Sequence, residues 1–296
     1  MYDTILVPTD GSEAAARAVD HALLLAEATD ASVHVLYVVN AEPDEVAAST
    51  DERDAENVQD SLRRFGERTL DDADERAAST AVPVETSIRT GVPHEEILAD
   101  ADERDVDAVV MGTHGRSGLQ RYLLGSVAER VVRLADCPVM TVHGDDDASP
   151  YERILVPTDG SDCAAVATEH AVAIARAFDA ELHALSAVNL VEAGGLFNAG
   201  GVDSGFVERL EERAQTGADA VVERARDADV DGEATVVHGV PHEEIGEYVS
   251  SNDVDLVVMG THGRSGVRRY LLGSVTERVL RTVSAPVLAV RQRDDT

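Results

Sequence analysis

The 296-residue chain contains one stretch twice, and the spacing of the copies constrains its fold more than any other feature. Gly112-Thr113-His114-Gly115-Arg116-Ser117-Gly118, followed by Gly125-Ser126, recurs as Gly260-Thr261-His262-Gly263-Arg264-Ser265-Gly266, followed by Gly273-Ser274. Residues 109–134 match residues 257–282 at 21 of 26 positions. Residues 5–12 recur as 154–161, and residues 91–97 as 239–245. A period of 148 or 149 residues is a whole domain and not a solenoid unit. Two copies of one domain are expected, residues 1–144 and 151–293, joined by a polar linker at 145–150.

Within a half, short apolar runs alternate with amphipathic ones. Residues 4–7, 33–39, 82–89, 107–111 and 138–142 read as strands. Ser12 reads as the N-cap of a helix with Ala15, Ala18, Val19, Ala22, Leu23 and Ala26 on its apolar stripe. Residues 51–79 read as a charged helix with Val58, Leu62, Phe65, Leu70 and Ala73 facing in. Pro93 suits a first helical position, with Glu95 and Glu96 favourable to the dipole, and Ser126 opens a last helix. Strand–helix alternation implies parallel pairing through right-handed crossovers. The fold class is therefore α/β: two tandem doubly wound, Rossmann-like domains, each with a five-stranded parallel sheet. Ligands of such sheets sit outside the carboxyl ends of the strands. Three segments fall there: the Pro-Thr-Asp-Gly-Ser turn, the loop after the second strand, and the loop opened by Gly112.

The formal charge is -32, and all 25 basic residues are arginine. So acidic a surface repels nucleic acid and anionic membranes. The absence of lysine, the small-residue core and the carboxylate coat resemble proteins from a salt-filled cytoplasm, where the Debye length falls to about 3 Å at 1 M. No run approaches the roughly 20 apolar residues that span a bilayer, and the N-terminus enters a strand directly, so a cytoplasmic protein is expected. Cys137 and Cys163 have no spacing motif and read as reduced thiols.

Against this acidity, residues 112–133 and 260–281 together hold nine of the 25 arginines and two of the 57 carboxylates. Attraction to phosphate is the simplest reason for such a reversal; pairing with nearby carboxylates is the alternative, for Arg130 and Arg133 especially. A glycine-rich loop between a strand and a helix can gather backbone N–H groups round an anion. There is no lysine for a Walker motif, and His94-Glu95-Glu96 lacks the second histidine of a zinc protease, so it reads as a helix start. Glycines at 194, 195, 200, 201 and 205 suggest either a lid or a variable loop.

The repeated glycine pattern, the strand ending in Pro-Thr-Asp-Gly-Ser and the closing Cys-Pro-Val or Ala-Pro-Val strand resemble the universal stress protein family, in a tandem arrangement of its nucleotide-binding type. The resemblance implies an adenine-nucleotide site (ATP, ADP or AMP) in each half. In the first, Pro8, Thr9 and Asp10 flank the nucleotide and Val38 meets the adenine. Met111, Gly112, His114, Gly115, Arg116, Gly125, Ser126 and Val127 complete that site. Pro157, Thr158, Asp159, Ala187, Met259, Gly260, His262, Gly263, Arg264, Gly273, Ser274 and Val275 form the second. The resemblance also implies pairing of the two halves as a pseudo-dimer, a homodimer being a further option, and Mg²⁺ arriving with the nucleotide near Asp10 and Asp159. No organised general base is visible, so a stress or signalling module that binds nucleotide is expected. A nucleotide-independent, holdase-like scaffold and a slow ATP hydrolase are the alternatives.

Overall fold

The computed structural model describes residues 2–40, 52–115, 124–190, 204–263 and 272–292. The loop after the second strand in either half, most of the glycine-rich segment before Phe206, and Arg116 and Arg264 lie outside the described residues. The chain divides into two compact units, Met1–Ser149 and Pro150–Thr296.

The first unit runs β1 (Thr4–Thr9), α1 (Glu13–Thr29), β2 (Ser32–Asn40), α2 (Glu52–Ala77), β3 (Val84–Gly91), α3 (Pro93–Glu103), β4 (Ala108–Gly112), α4 (Ser126–Leu134) and β5 (Val139–Val142). Its strands are parallel in the order β3-β2-β1-β4-β5. The second unit repeats this with β6 (Arg153–Pro157), α5 (Asp162–Phe178), β7 (Glu181–Val188), α6 (Ser204–Arg226), β8 (Gly232–His238), α7 (Pro241–Ser251), β9 (Leu256–Gly260), α8 (Ser274–Thr282) and β10 (Val287–Val290). Its order is β8-β7-β6-β9-β10. The two doubly wound parallel sheets are thus the expected fold. Right-handed crossovers put α1 and α2 on one face of the first sheet and α3 and α4 on the other. The order reverses between β1 and β4, and that switch point opens a crevice at the strand ends.

Local chemistry explains the elements. The middle strands are apolar on both faces because helices cover both: β4 and β9 are buried through all but their last residue. Ser12 Oγ accepts the Ala15 N–H at 3.2 Å, and Ser161 Oγ accepts that of Ala164 at 3.3 Å, so α1 and α5 are side-chain capped. Both end on a left-handed aspartate, Asp30 and Asp179, a conformation that aspartate tolerates better than most residues. Asp107 Oδ2 accepts the N–H groups of Asp3 and Thr4, and Asp255 Oδ2 those of Glu152 and Arg153. The same carboxylate thereby aligns the opening strand of each unit.

Two expectations need adjusting. Leu70 and Ala73 are buried, but Val58 is exposed. Helix α2 has 26 residues, about 39 Å, against about 26 Å for the eight-residue β3, so the helix is longer than the strand it precedes and Val58 lies toward its far end. The segment read as a linker is tied down at its start. Asp146 is buried and accepts the His143 N–H at 2.7 Å, and Asp147 lies 3.0 Å from Arg17 on α1. Both cysteines are buried and neither is in a disulfide, and no described helix is long and apolar enough to cross a membrane.

Candidate functional site

A cleft of about 740 Å³ opens at the switch point of the first unit. Period-two alternation puts Leu36, Val38 and Asn40 of β2 on one face, where α3 brings Pro93 and Ile97 against them. Met111 at the end of β4 and Val127 of α4 extend this apolar slot, and Tyr37 and Leu62 bound it from the side of α2. The opposite end is polar: Thr9, Asp10, Thr113, His114, Gly115 and Ser126. Of the first-half residues named from sequence, Pro8, Thr9, Asp10, Val38, Met111, Gly112, His114, Gly115, Gly125, Ser126 and Val127 all line this one cleft.

The polar end is built by two loops that meet. Asp10 Oδ1 accepts the Ser12 N–H at 3.0 Å, which turns Oδ2 toward the glycine loop. A Cβ on Gly115 would lie 2.7 Å from that Oδ2, so a larger residue there would push the Asp10 carboxylate aside. Ser12 Oγ, while capping α1, donates to the His114 carbonyl at 3.2 Å and ties the loops together. The loop is closed at its base: Thr113 N donates to Val142 O at 2.8 Å and Gly125 N to Thr113 O at 2.7 Å. A Cβ on Gly125 would stand 2.9 Å from that same Thr113 oxygen.

The second unit repeats the turn, the glycine approach and the loop closure. Asp159 Oδ1 accepts from Ser161 N at 3.0 Å, and Oδ2 lies 2.6 Å from a Cβ on Gly263. Gly273 N donates to Thr261 O at 2.8 Å, and a Cβ there would meet that oxygen at 3.1 Å. Pro157 ends β6, Met259 and Gly260 end β9, and Ser274 and Val275 open α8. Ala187 occupies the place of Val38, since Pro157 pairs with Leu185 as Pro8 pairs with Leu36. Thr158 Oγ1 accepts the Gly160 N–H at 3.1 Å, as Thr9 Oγ1 accepts that of Gly11 at 3.3 Å.

What the polar end can hold follows from its helix starts. Helices α1 and α5 spend their first-turn donors on serine caps. Helices α4 and α8 begin on Gly125 and Gly273, which supply no side-chain acceptor. Their first-turn N–H groups point out of the helix start at the positive end of the dipole, ready for an anion. The histidines serve the loop: His114 Nδ1 is 2.9 Å from the Thr113 hydroxyl, and His262 Nδ1 the same from that of Thr261. Arg130 and Arg278 each face a histidine across the α3–α4 or α7–α8 contact, His94 at 3.4 Å and His242 at 3.3 Å. Arg281 pairs with Glu277 at 2.8 Å. Among the described residues no three His, Cys, Asp or Glu side chains are grouped to hold a metal. Asp10 and Asp159 are hard oxygen donors of the kind Mg²⁺ accepts when phosphates supply its other ligands.

Sequence reasoning missed Leu36, Tyr37, Asn40, Leu62, Pro93, Ile97, Thr113 and Ala128 as lining residues, and Ser12 as the tie between loops. Alternation along β2 pointed to Leu36 and Asn40, and the repeated Gly-Val-Pro-His-Glu-Glu start pointed to Pro93. The apolar stripe of α2 marked Leu62 as facing in, but nothing local marked it as reaching the cleft.

Comparison with known proteins agrees with this architecture. The universal stress protein family model matches residues 1–143 and again 150–291. A universal stress protein of Methanocaldococcus jannaschii is 39% identical over 142 residues, 48% of this chain and 82% of that protein. One from Mycobacterium tuberculosis is 36% identical over 197 residues, 64% of this chain and 63% of that protein. The crystal structure of a universal stress protein from Archaeoglobus fulgidus superposes over 98% of both chains with a TM-score of 0.74 at 22% identity, a likeness of fold.

Proposed function

The chain belongs to the universal stress protein family as a tandem two-domain member, and on that premise we propose that each half binds one adenine nucleotide. The observation that carries the reading is the cleft's polarity. One end is an apolar slot between β2 and α3, fit for a planar base. The other is the uncapped start of α4, fit for phosphate. Asp10 lies at the polar end, within reach of the sugar–phosphate part of a nucleotide whose base fills the slot. The second half offers the same turn, glycine loop and uncapped helix.

The binding chemistry is positional. Val38, Ile97 and Met111 exclude water from the base, Gly115 and Gly125 let the backbone approach the phosphates, and Ser126 adds a hydroxyl donor. Mg²⁺ carried by the phosphates would meet Asp10 or Asp159 and supply charge neutralisation. Arg116 and Arg264 add phosphate contacts from the loops. The protein acts as a cytoplasmic stress or signalling module whose state follows nucleotide occupancy, and its lysine-free acidic surface suits a saline interior.

Calorimetry of the intact chain with ATP, ADP and AMP in molar KCl tests this. Binding to the wild type is expected, with Gly125→Val and Gly273→Val each removing one site, because the new side chain collides with the Thr113 or Thr261 carbonyl. Stoichiometry left unchanged by both substitutions would place any nucleotide elsewhere.

A further inference from the structure

We propose that the two sites are unequal, the first being the tighter, and that Tyr37 of β2 is the positioning residue responsible; this rests on the adenine-nucleotide reading of the clefts.

The evidence is a packing exchange behind the Asp-Gly turn. In the first half Tyr37 is 2% exposed overall, yet one side of it borders the cleft. Its ring presses on α2: a Cβ on Gly66 would lie 2.5 Å from it. Glycine inside a helix is less favourable than alanine, and Gly66 is placed where Tyr37 leaves no room for a side chain. The approach seats the Phe65 ring 6.2 Å from Tyr37, tilted by 53°. The turn then rests on α2, since a Cβ on Gly11 would meet Phe65 Cζ and Thr69 Oγ1, each at 2.9 Å. Asp10, next to Gly11, is therefore backed by an aromatic pair, and Leu62 one turn earlier joins the cleft wall.

The second half reverses the sizes. Ser186 stands in the place of Tyr37 and donates to the Thr158 carbonyl at 2.9 Å. With the register 148 residues on, Ala214 replaces Gly66, the exposed Arg213 replaces Phe65, and Gly217 replaces Thr69. Here α6 faces the turn with a glycine: a Cβ on Gly217 would be 3.5 Å from Gly160 Cα. The positions that carry the Tyr37 and Phe65 rings behind Asp10 thus hold Ser186 and Arg213 behind Asp159. A braced turn loses less freedom when ligand arrives, which favours the first site.

The test measures nucleotide affinity site by site in the intact chain, using Gly273→Val to read the first site and Gly125→Val to read the second. Tyr37→Ser alone leaves a hole, so it is paired with Gly66→Ala, which rebuilds the serine–alanine packing that the second half already uses. We expect the tighter phase to survive Gly273→Val and vanish in Gly125→Val. Tyr37→Ser with Gly66→Ala is expected to weaken the first site about tenfold, roughly the worth of one well-placed aromatic contact. Tyr37→Phe is expected to restore affinity to within about twofold, the span of a few tenths of a kcal/mol. Equal affinities in the two single-site chains, or an unchanged first site in the double variant, would overturn the inference alone. No binding by the wild type would overturn the adenine-nucleotide reading as well.

Discussion

The same buried histidine sits at the same position of the second strand in both halves, and each half satisfies it differently. His34 lies beneath the apolar slot, with Nε2 3.0 Å from Ser87 Oγ and 3.3 Å from Asp100 Oδ2. Asp100, 1% exposed, is held by Arg89 at 2.7 Å and by Arg104 at 3.5 Å, and Arg89 continues to Glu96 and Glu103. In the second half Tyr248 stands where Asp100 does. Its hydroxyl lies 2.9 Å from His183 Nδ1 and donates to Glu233 at 2.9 Å. Val237 replaces Arg89. Duplication thus kept the backbone and the glycine loops, which have few physical alternatives. It left buried polar pairs free to diverge, because a buried imidazole needs a partner but not a particular one.

The largest expected difference comes from the arginine. Arg89→Leu leaves the buried Asp100 carboxylate with the longer contacts to Arg104 and His34, at a cost of about 3 kcal/mol. Tyr248→Phe removes one half-buried hydroxyl whose carboxylate partner, Glu233, stays exposed to water, and costs about 1 kcal/mol. Urea midpoints followed by circular dichroism rank the two; equal effects would mean that the carboxylate network adds nothing over the tyrosine.

A second comparison uses pH. Burial holds the His34 imidazole below its ordinary value, only partly opposed by the nearby Asp100 carboxylate, and burial depresses His21 likewise. The unfolded chain binds these protons more readily. The stabilisation from neutral histidine is therefore complete above about pH 6.5 and is lost as pH falls below it. Tyr248 is pushed up to about 12, chiefly by burial. Its contribution is complete below about pH 10 and is lost as pH rises from there toward 12. The first half is accordingly the acid-sensitive one and the second the alkali-sensitive one. Urea midpoints between pH 5 and 11 at fixed salt should show His34→Gln flattening the acid limb and Tyr248→Phe the alkaline limb. Crossed assignments would break the comparison.

The smallest effect lies beside the glycine loops. Thr276 Oγ1 donates to the Gly260 carbonyl at 2.9 Å, whereas Ala128 fills that place in the first half. Thr276→Ala converts one arrangement into the other and should cost about 1 kcal/mol, read as a shifted unfolding midpoint.

Most of the fold was legible because the evidence for it is local or repeated. Ser12, Ser161, Pro93 and Pro241 mark helix starts, and the uniformly apolar runs before Gly112 and Gly260 mark doubly covered strands. The glycine loop was legible because Gly115 and Gly263 have a steric reason to recur. What escaped depends on contacts between residues far apart in sequence. Gly66 makes sense only against Tyr37, and Asp100 reads as one more acid of an acidic helix until it is seen between His34 and Arg89. Val58 misled because periodicity reports which face is apolar, not whether that face is covered along its whole length.

Native mass spectrometry of the intact chain, titrated with ATP in a volatile salt, addresses the central claim most directly. The account predicts two mass increments of one nucleotide each, falling to one in Gly125→Val and to one in Gly273→Val. A wild-type chain that carries no nucleotide at saturating ATP would contradict it.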